Sequence, residues 1–189
     1  NYMGQYKDKT IRNLVEDINN AYFLPDIQRE FVWLKNKNEF EDKIYNLFDS
    51  ILRGYPIGTF LFWDVTSNRI KEDKLTILKF IERSNNDNEQ LIDIPQKLTL
   101  VLDGQQRMSI LYLALKGLFI DEHYKKERKR ELFFNLLSNV KNENELTERL
   151  FELKLFDVTK ESCFIEEDKK CKKIWFNIKN VIKENIDPF

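Results

Sequence analysis

Residues 98–118 read LTLVLDGQQRMSILYLALKGL and combine a buried strand with a buried helix. Leu98 to Leu102 form a short apolar run of the length expected for a buried strand. Asp103 and Gly104 end that strand at once, and residues 105–118 are apolar on most sides. We therefore expect a strand that runs directly into a helix at the centre of the molecule.

Shorter patterns on both sides of this stretch predict further helices and strands. Residues 11–18 have their apolar side chains on one helix face, with Thr10 as the cap. Residues 38–53 predict a second helix that is capped by Asn38 and ended by Gly54. Strands are expected at the short apolar or alternating runs 59–65, 76–82, 132–136, 150–156 and 174–178. Loops are expected at the mixed or charged segments 21–33, 84–90, 121–130 and 159–173.

The composition is typical of a globular domain and excludes several classes. Of 189 residues, 42% are hydrophobic and 33% charged, which favours a real core under a charged surface. The 31 basic and 32 acidic residues balance, so a strongly basic nucleic-acid coat protein is excluded. One histidine and two cysteines are too few for a structural zinc site or a disulfide framework. We expect a cytoplasmic protein without zinc.

Neither end of the chain has the features of a natural terminus. It begins on Asn1 without an apolar signal segment and stops at Phe189 without a polar tail. No apolar run approaches the roughly 20 residues that a membrane helix needs. We therefore expect one domain over residues 1–189, cut from the N-terminal part of a longer protein, with no membrane partner.

The Asp103-Gly104 turn is the strongest candidate site. Backbone N–H groups of Gln105, Gln106 and Arg107, in the first turn of a helix, have no helical acceptors and attract anions such as phosphate. The forked guanidinium of Arg107 also matches phosphate oxygens. Asp103 could hold a divalent cation or activate water. The plainer interpretation is that Asp103 caps a solvated first turn.

Two earlier segments contain weaker candidates. Gln28 and Arg29 lie near aromatic residues in FLPDIQREFVW (23–33), where an arginine could bind phosphate while a ring stacks on a base. Arg53 and Tyr55 flank a glycine turn and could contact a ligand. For both segments a structural role is the favoured interpretation: the rings can anchor a loop, Arg29 can form an internal ion pair, and the glycines and proline of 54–58 can form a helix stop and turn.

Taken together, these segments resemble the N-terminal domain of the GmrSD family of modification-dependent restriction proteins. The resemblance depends on LPDIQREFVW (24–33), SILRGYPIG (50–58) and LDGQQR (102–107), in this order. Weaker similarities follow at LFFNL (132–136) and WFNI (175–178). The family pattern has isoleucine at Leu24 and tyrosine at Phe31. The second difference removes a hydroxyl and any role that it had.

The resemblance implies an α+β fold like that of ParB and sulfiredoxin, with helices packed around a mixed sheet. It also implies a domain that binds and hydrolyses a nucleoside triphosphate, coupled to cleavage of modified DNA. The motif residues Asp103, Gly104, Gln105, Gln106 and Arg107 would form the phosphate and hydrolysis site. Asp103 would hold Mg²⁺ or position the attacking water. Residues outside the motif would complete nucleotide binding: Gln28, Arg29 and Arg53.

The same resemblance implies DNA and a C-terminal His-Asn-His nuclease domain as partners, and one histidine cannot build that domain here. Two alternatives stay open: a nuclease that cuts DNA at the DGQQR turn itself, and a module that senses nucleotide or DNA without catalysis. A basic run at residues 125–130, KKERKR, is the best candidate for a DNA-binding patch. A solvated charged surface explains this run more simply.

Overall fold

The computed structural model describes residues 8–26, 37–123, 126–138, 149–167 and 171–183. Within these ranges the helices are α1 (Ile11–Asp17), α2 (Lys37–Leu52), α3 (Ser67–Glu72), α4 (Gln105–Leu115) and α5 (Asn180–Lys183). The strands are β1 (Tyr22–Pro25), β2 (Leu61–Thr66), β3 (Ile77–Leu78), β4 (Lys97–Asp103), β5 (Phe119–His123), β6 (Lys126–Asn135), β7 (Leu153–Asp157), β8 (Cys163–Glu167) and β9 (Lys172–Asn177).

The first sheet is mixed and has the order β2-β4-β1-β3. Strand β4 is antiparallel to β2 and parallel to β1, and β1 is antiparallel to β3. The parallel pair β1/β4 is internal, so its residues are covered on both faces. This arrangement confirms the expected α+β class with a mixed sheet.

The second sheet is antiparallel throughout and is built around β6. Phe133 of β6 pairs with Lys154 of β7 on one side and with Asn177 of β9 on the other. The first half of β6 pairs with β5, and β9 pairs in turn with β8.

Helix α4 lies in the main core, between elements of both sheets. Every residue from Met108 to Leu115 is buried, which confirms the expected central helix. Side chains from α1, α2, β5, β6 and β7 join the same apolar cluster. A smaller cluster covers the opposite face of the first sheet, where Leu98 and Leu100 of β4 pack with Ile70 of α3.

Other predicted helices and strands are confirmed, with some differences in where they begin and end. Thr10 caps α1, since its hydroxyl accepts from the backbone N–H of Asn13 at 3.2 Å. Gly54 follows α2 with a φ of 69°, in the left-handed region that ends many helices. Helix α2 begins at Lys37, so Asn38 lies inside it and is not its cap. The expected strand at 76–82 is shorter, with only Ile77 and Leu78 in β3.

The prediction of a loop over 21–33 is wrong at residues 22–25, which form β1. All four residues from Tyr22 to Pro25 are buried, so the strand shows no alternation of apolar and polar residues and its pattern was not recognised. The loop expected at 159–173 is also wrong in part, because residues 163–167 form β8.

In the charged run at 121–130, the described residues 121–123 and 126–130 lie in strands β5 and β6 and not in a loop. The two strands pair antiparallel, and charged side chains of β6 pair with partners on other parts of the fold. Arg83 contacts Glu127 at 2.7 Å, and Arg128 contacts Asp157 at 2.8 Å. The hydrogen bond from Arg128 holds the pKa of the Asp157 carboxyl below its usual value.

In the part of the chain that the structure describes, no helix is long and apolar enough to cross a membrane.

The burial of α4 predicts a strong dependence of stability on its apolar side chains. Leu111 is 0% exposed, so Leu111→Ala should lower the free energy of unfolding by about 2–5 kcal/mol. Leu61 of β2 is 56% exposed, and Leu61→Ala should change it by about 0.5 kcal/mol or less. Urea denaturation of both variants measures the difference. Equal losses in the two variants would contradict the central position of α4.

Candidate functional site

A single glycine separates β4 from α4. Asp103 is the last residue of the strand, Gln105 is the first of the helix, and Gly104 between them has φ 84° and ψ 8°. This left-handed conformation favours glycine. A Cβ at Gly104 would also collide with the ring of Phe60. The turn therefore needs glycine for two separate reasons, its backbone conformation and the close approach of an aromatic ring.

The first turn of α4 has the geometry expected of an anion site. Gly104 occupies the N-cap position and offers no side-chain cap. Its carbonyl accepts the first helical hydrogen bond, from Met108 N at 2.9 Å. The N–H groups of Gln105, Gln106 and Arg107 precede that bond, so they point out of the helix with its partial positive charge.

Arg107 binds the chain segment that precedes β2. Its guanidinium donates to the carbonyl of Ile57 at 2.5 Å and to that of Thr59 at 2.8 Å. It also lies 4.9 Å from the ring centre of Phe60 and 3.8 Å from the carboxylate of Asp103. The side chain is 22% exposed. In this conformation Arg107 holds residues 57–60 against the β4–α4 turn.

Gly58 and Phe60 are part of the same arrangement, although the sequence analysis gave them no role in the site. Gly58 has a φ of 89°, and a Cβ there would collide with the guanidinium of Arg107. Phe60 stacks on Phe62 at 6.2 Å, and Phe62 stacks on Tyr22 at 4.9 Å. The two phenylalanines, spaced by two in a predicted strand, were the available signal for this row of rings.

The remaining motif side chains differ in how strongly they are held. Gln105 is fixed by a 2.6 Å hydrogen bond from its Nε2 to the carbonyl of Val101. The Oε1 atom of Gln106 is buried and has no hydrogen-bond partner among the residues that the structure describes. The side chain of Asp103 is 71% exposed beside the helix start. The structure therefore brings all five motif residues together around one turn.

Arg53 is bound at the end of α2. It donates to the Asp49 carboxylate at 3.3 Å and to the Tyr55 hydroxyl at 2.8 Å. Asp49 is buried and also accepts from the backbone N–H groups of Leu150 and Phe151. These contacts give Arg53 a structural role between α2 and the segment before β7. Its expected contact with nucleotide stays a prediction.

Three expectations fall partly or wholly outside the described residues. Gln28 and Arg29 lie in 27–36, so their position relative to the turn stays a prediction. Lys125 of the basic run is also outside. Arg130 of that run is only 14% exposed and lies 3.2 Å from both Glu41 and Asp121. Ion pairs therefore neutralise part of the expected DNA-binding patch.

Among the residues that the structure describes, no three His, Cys, Asp or Glu side chains come together in a way that could hold a metal ion. Asp103 is therefore not joined by two further such side chains from the described residues. One carboxylate fits Mg²⁺ only where phosphate oxygens and water supply the other ligands, as is usual for this ion.

A comparison with known protein families shows which family this chain belongs to. The model of the GmrSD restriction endonuclease N-terminal domain matches residues 11–187. The chain belongs to this family. An uncharacterized protein from Methanocaldococcus jannaschii is 32% identical over 108 residues, which are 55% of this chain and 17% of that relative. This GmrSD N-terminal domain therefore covers less than a fifth of that relative's length.

The geometry of the turn predicts different costs for two glycine substitutions. Gly54→Ala meets open space and a φ of 69°, so it should lower the free energy of unfolding by about 1–2 kcal/mol. Gly104→Ala adds the collision with Phe60 and should cost clearly more. Chemical denaturation measures both variants, and Phe60→Ala in the Gly104→Ala background should recover the excess. The absence of any such coupling would contradict the packing of Phe60 on the turn.

Proposed function

We propose that this domain binds a nucleoside triphosphate at the β4–α4 turn and hydrolyses it, as part of a DNA restriction protein whose DNA cleavage takes place in another domain. The observation that supports this most is the uncapped start of α4 at the left-handed Gly104, with Asp103 and Arg107 on either side. Membership of the restriction endonuclease family supports the link to DNA.

The backbone supplies the first part of the phosphate site. N–H groups of the first helical turn are fixed in direction by the buried body of α4, so they need no reorganisation when an anion binds. The absence of a side chain at Gly104 lets phosphate oxygens approach the backbone closely. Negative charge that develops on a terminal phosphate would be stabilised here.

Arg107 supplies the permanent charge. Its present acceptors are two neutral carbonyls, and a phosphate is a stronger acceptor because the resulting hydrogen bonds are charge-assisted at both ends. A phosphate could therefore share or replace these bonds. Because Arg107 also holds residues 57–60, nucleotide binding would be coupled to the position of that segment.

Asp103 and Gln106 would complete the chemistry of hydrolysis. Asp103 would hold Mg²⁺ together with the phosphates, and the ion would neutralise phosphate charge. The Oε1 of Gln106, which has no hydrogen-bond partner among the described residues, could accept a hydrogen bond from the attacking water and orient it. Gln105 would position the turn through its bond to Val101.

A second candidate is a switch that binds nucleotide without turnover. The contacts of Arg107 with Ile57 and Thr59 favour it, since a ligand that draws the guanidinium away would change the conformation of residues 57–60. Binding and phosphate release, measured together, separate the two candidates: a switch gives binding alone.

The proposal predicts stabilisation of the folded chain by nucleotide. At a hundredfold excess over its Kd, a ligand adds about 2.7 kcal/mol, which raises the melting temperature of a chain of this size by about 5–10 °C. We expect this rise with a nucleoside triphosphate and Mg²⁺. Asp103→Ala should abolish the Mg²⁺-dependent part of the rise without changing the melting temperature of the free chain, since Asp103 is largely exposed.

Asp93→Ala is the matched control, because Asp93 is an exposed carboxylate outside the helices and strands and outside the motif at 103–107. It should keep both the temperature rise and the release of phosphate. Equal behaviour of Asp103→Ala and Asp93→Ala would overturn the assignment of the site. Nicking of plasmid DNA by this chain without nucleotide would instead support the direct nuclease.

A further inference from the structure

The second sheet has a face that the main core does not cover. One face of this sheet packs against α4 and the main cluster through Leu132, Leu153 and Leu155. The residues next to these leucines on β6 and β7 point to the opposite face. The residues of β8 and β9 that lie beside them in the sheet belong to the same opposite face. Four rings lie together there, which we name the aromatic face: Phe133, Phe156, Phe164 and Trp175.

The four rings pack tightly on one another. Phe156 lies 5.1 Å from Phe164 and 4.9 Å from Trp175, and Phe133 lies 5.4 Å from Phe156, all in edge-to-face arrangements. Phe133 and Trp175 are 0% exposed, whereas Phe156 and Phe164 are partly exposed. Two rings therefore form the base of the aromatic face, and two are accessible at its surface.

A lysine lies over each accessible ring. The Nζ atom of Lys154 is 5.0 Å from the ring centre of Phe156, and that of Lys160 is 5.1 Å from the ring centre of Phe164. Both side chains are exposed, and neither forms an ion pair with a carboxylate in the described part of the chain. Lys173, over Trp175, differs because it is paired with Glu152 at 2.5 Å.

We propose that the aromatic face binds single-stranded nucleic acid. Two exposed ammonium groups without a carboxylate partner in the described part of the chain can each take an anionic group, and the partly exposed rings beside them suit flat apolar groups. A single strand offers both, with phosphates spaced between bases that can stack. An acidic peptide would use the lysines but not the rings, and a duplex hides the faces of its bases.

On binding, the two lysines would exchange an aromatic ring for a phosphate, and the sheet would keep its structure. Each ammonium would move from its ring to a phosphate, and a base would take its place on the ring. Attraction of an ammonium to a benzene ring at an exposed position is about 0.5–1 kcal/mol, so a phosphate can displace it. The inference adds a nucleic-acid surface to the proposed function and does not depend on nucleotide hydrolysis.

The salt dependence of binding tests the two lysines. The probe is a fluorescein-labelled thymidine oligonucleotide of about 16 nucleotides, and its anisotropy is measured with this chain at several salt concentrations without nucleotide. If Lys154 and Lys160 each neutralise one phosphate, Lys154→Gln with Lys160→Gln should make the slope of log K against log salt shallower by about 1.4. The matched control is Lys71→Gln with Lys97→Gln, two exposed lysines on α3 and β4, which should leave the slope unchanged.

The ring is tested separately. Phe164→Leu keeps an apolar side chain against Phe133 but removes the stacking surface, so affinity should fall about tenfold with the same salt slope. The melting temperature of the Phe164→Leu variant reports whether its fold is kept. If this variant does not fold, the double variant at Lys154 and Lys160 still tests the proposal. A duplex of the same length and polyglutamate should compete poorly with the oligonucleotide.

Three results would overturn the proposal: no binding of the oligonucleotide, an equal loss of binding in the control lysine pair, or equally good competition by duplex or polyglutamate. These outcomes are distinguishable from failure of the nucleotide site. Asp103→Ala should leave oligonucleotide binding intact, and the lysine pair should leave the temperature rise with nucleotide intact.

Discussion

The complete burial of α4 is the constraint on which the rest of the structure depends. A helix with apolar contacts on every side must be covered by more than one layer, and here parts of both sheets and two helices cover it. This burial fixes where β4 must end and where the helix must begin. With one glycine between them, the first turn of α4 has little freedom of position, so the motif residues are held by the core and not by a loop.

Arg107 connects this fixed turn to residues 57–60, whose apolar side chains Ile57 and Phe60 also pack against the main cluster. Hydrogen bonds from a charged donor are worth about 1.5–3 kcal/mol each, and Arg107 makes two of them to backbone carbonyls. A ligand that competes for the guanidinium must offset these bonds, which only a strong acceptor such as phosphate does. The same side chain can therefore stabilise the free fold and respond to an anion. A sequence motif cannot distinguish these two roles, because both require arginine at the same place.

The sequence predicted the elements whose local pattern matches their surroundings. β4 and α4 were recognised because a buried strand, a turn glycine and an apolar helix follow one another in 98–118. β1 was missed because a parallel internal strand has no alternation, and the β5/β6 hairpin was missed because its charges look solvated until their partners on other elements are known. Arg128 and Asp157 are 29 residues apart, and no local pattern links them.

The candidate site shows the same limit. The five motif residues follow from the turn, but Gly58 and Phe60 belong to the site only through contacts with residues that lie about 44 to 50 positions later in the sequence. The aromatic face was invisible for a similar reason, since its rings come from four strands.

The two faces of the second sheet explain why that sheet is more than a cover for α4. Its inner face needs only apolar side chains, and Leu132, Leu153 and Leu155 supply them. An outer face in water would be satisfied by polar residues, yet four aromatic rings belong to this face, and two of them, Phe156 and Phe164, are partly exposed. Lysine stems can cover such rings at little cost while their charges stay hydrated. That cover is easily displaced, because an ammonium over a ring is held weakly compared with an ammonium on a phosphate. A face built for stability alone would be closed by apolar contacts, whereas Lys154 and Lys160, which have no carboxylate partner among the described residues, leave this face open to an anionic partner.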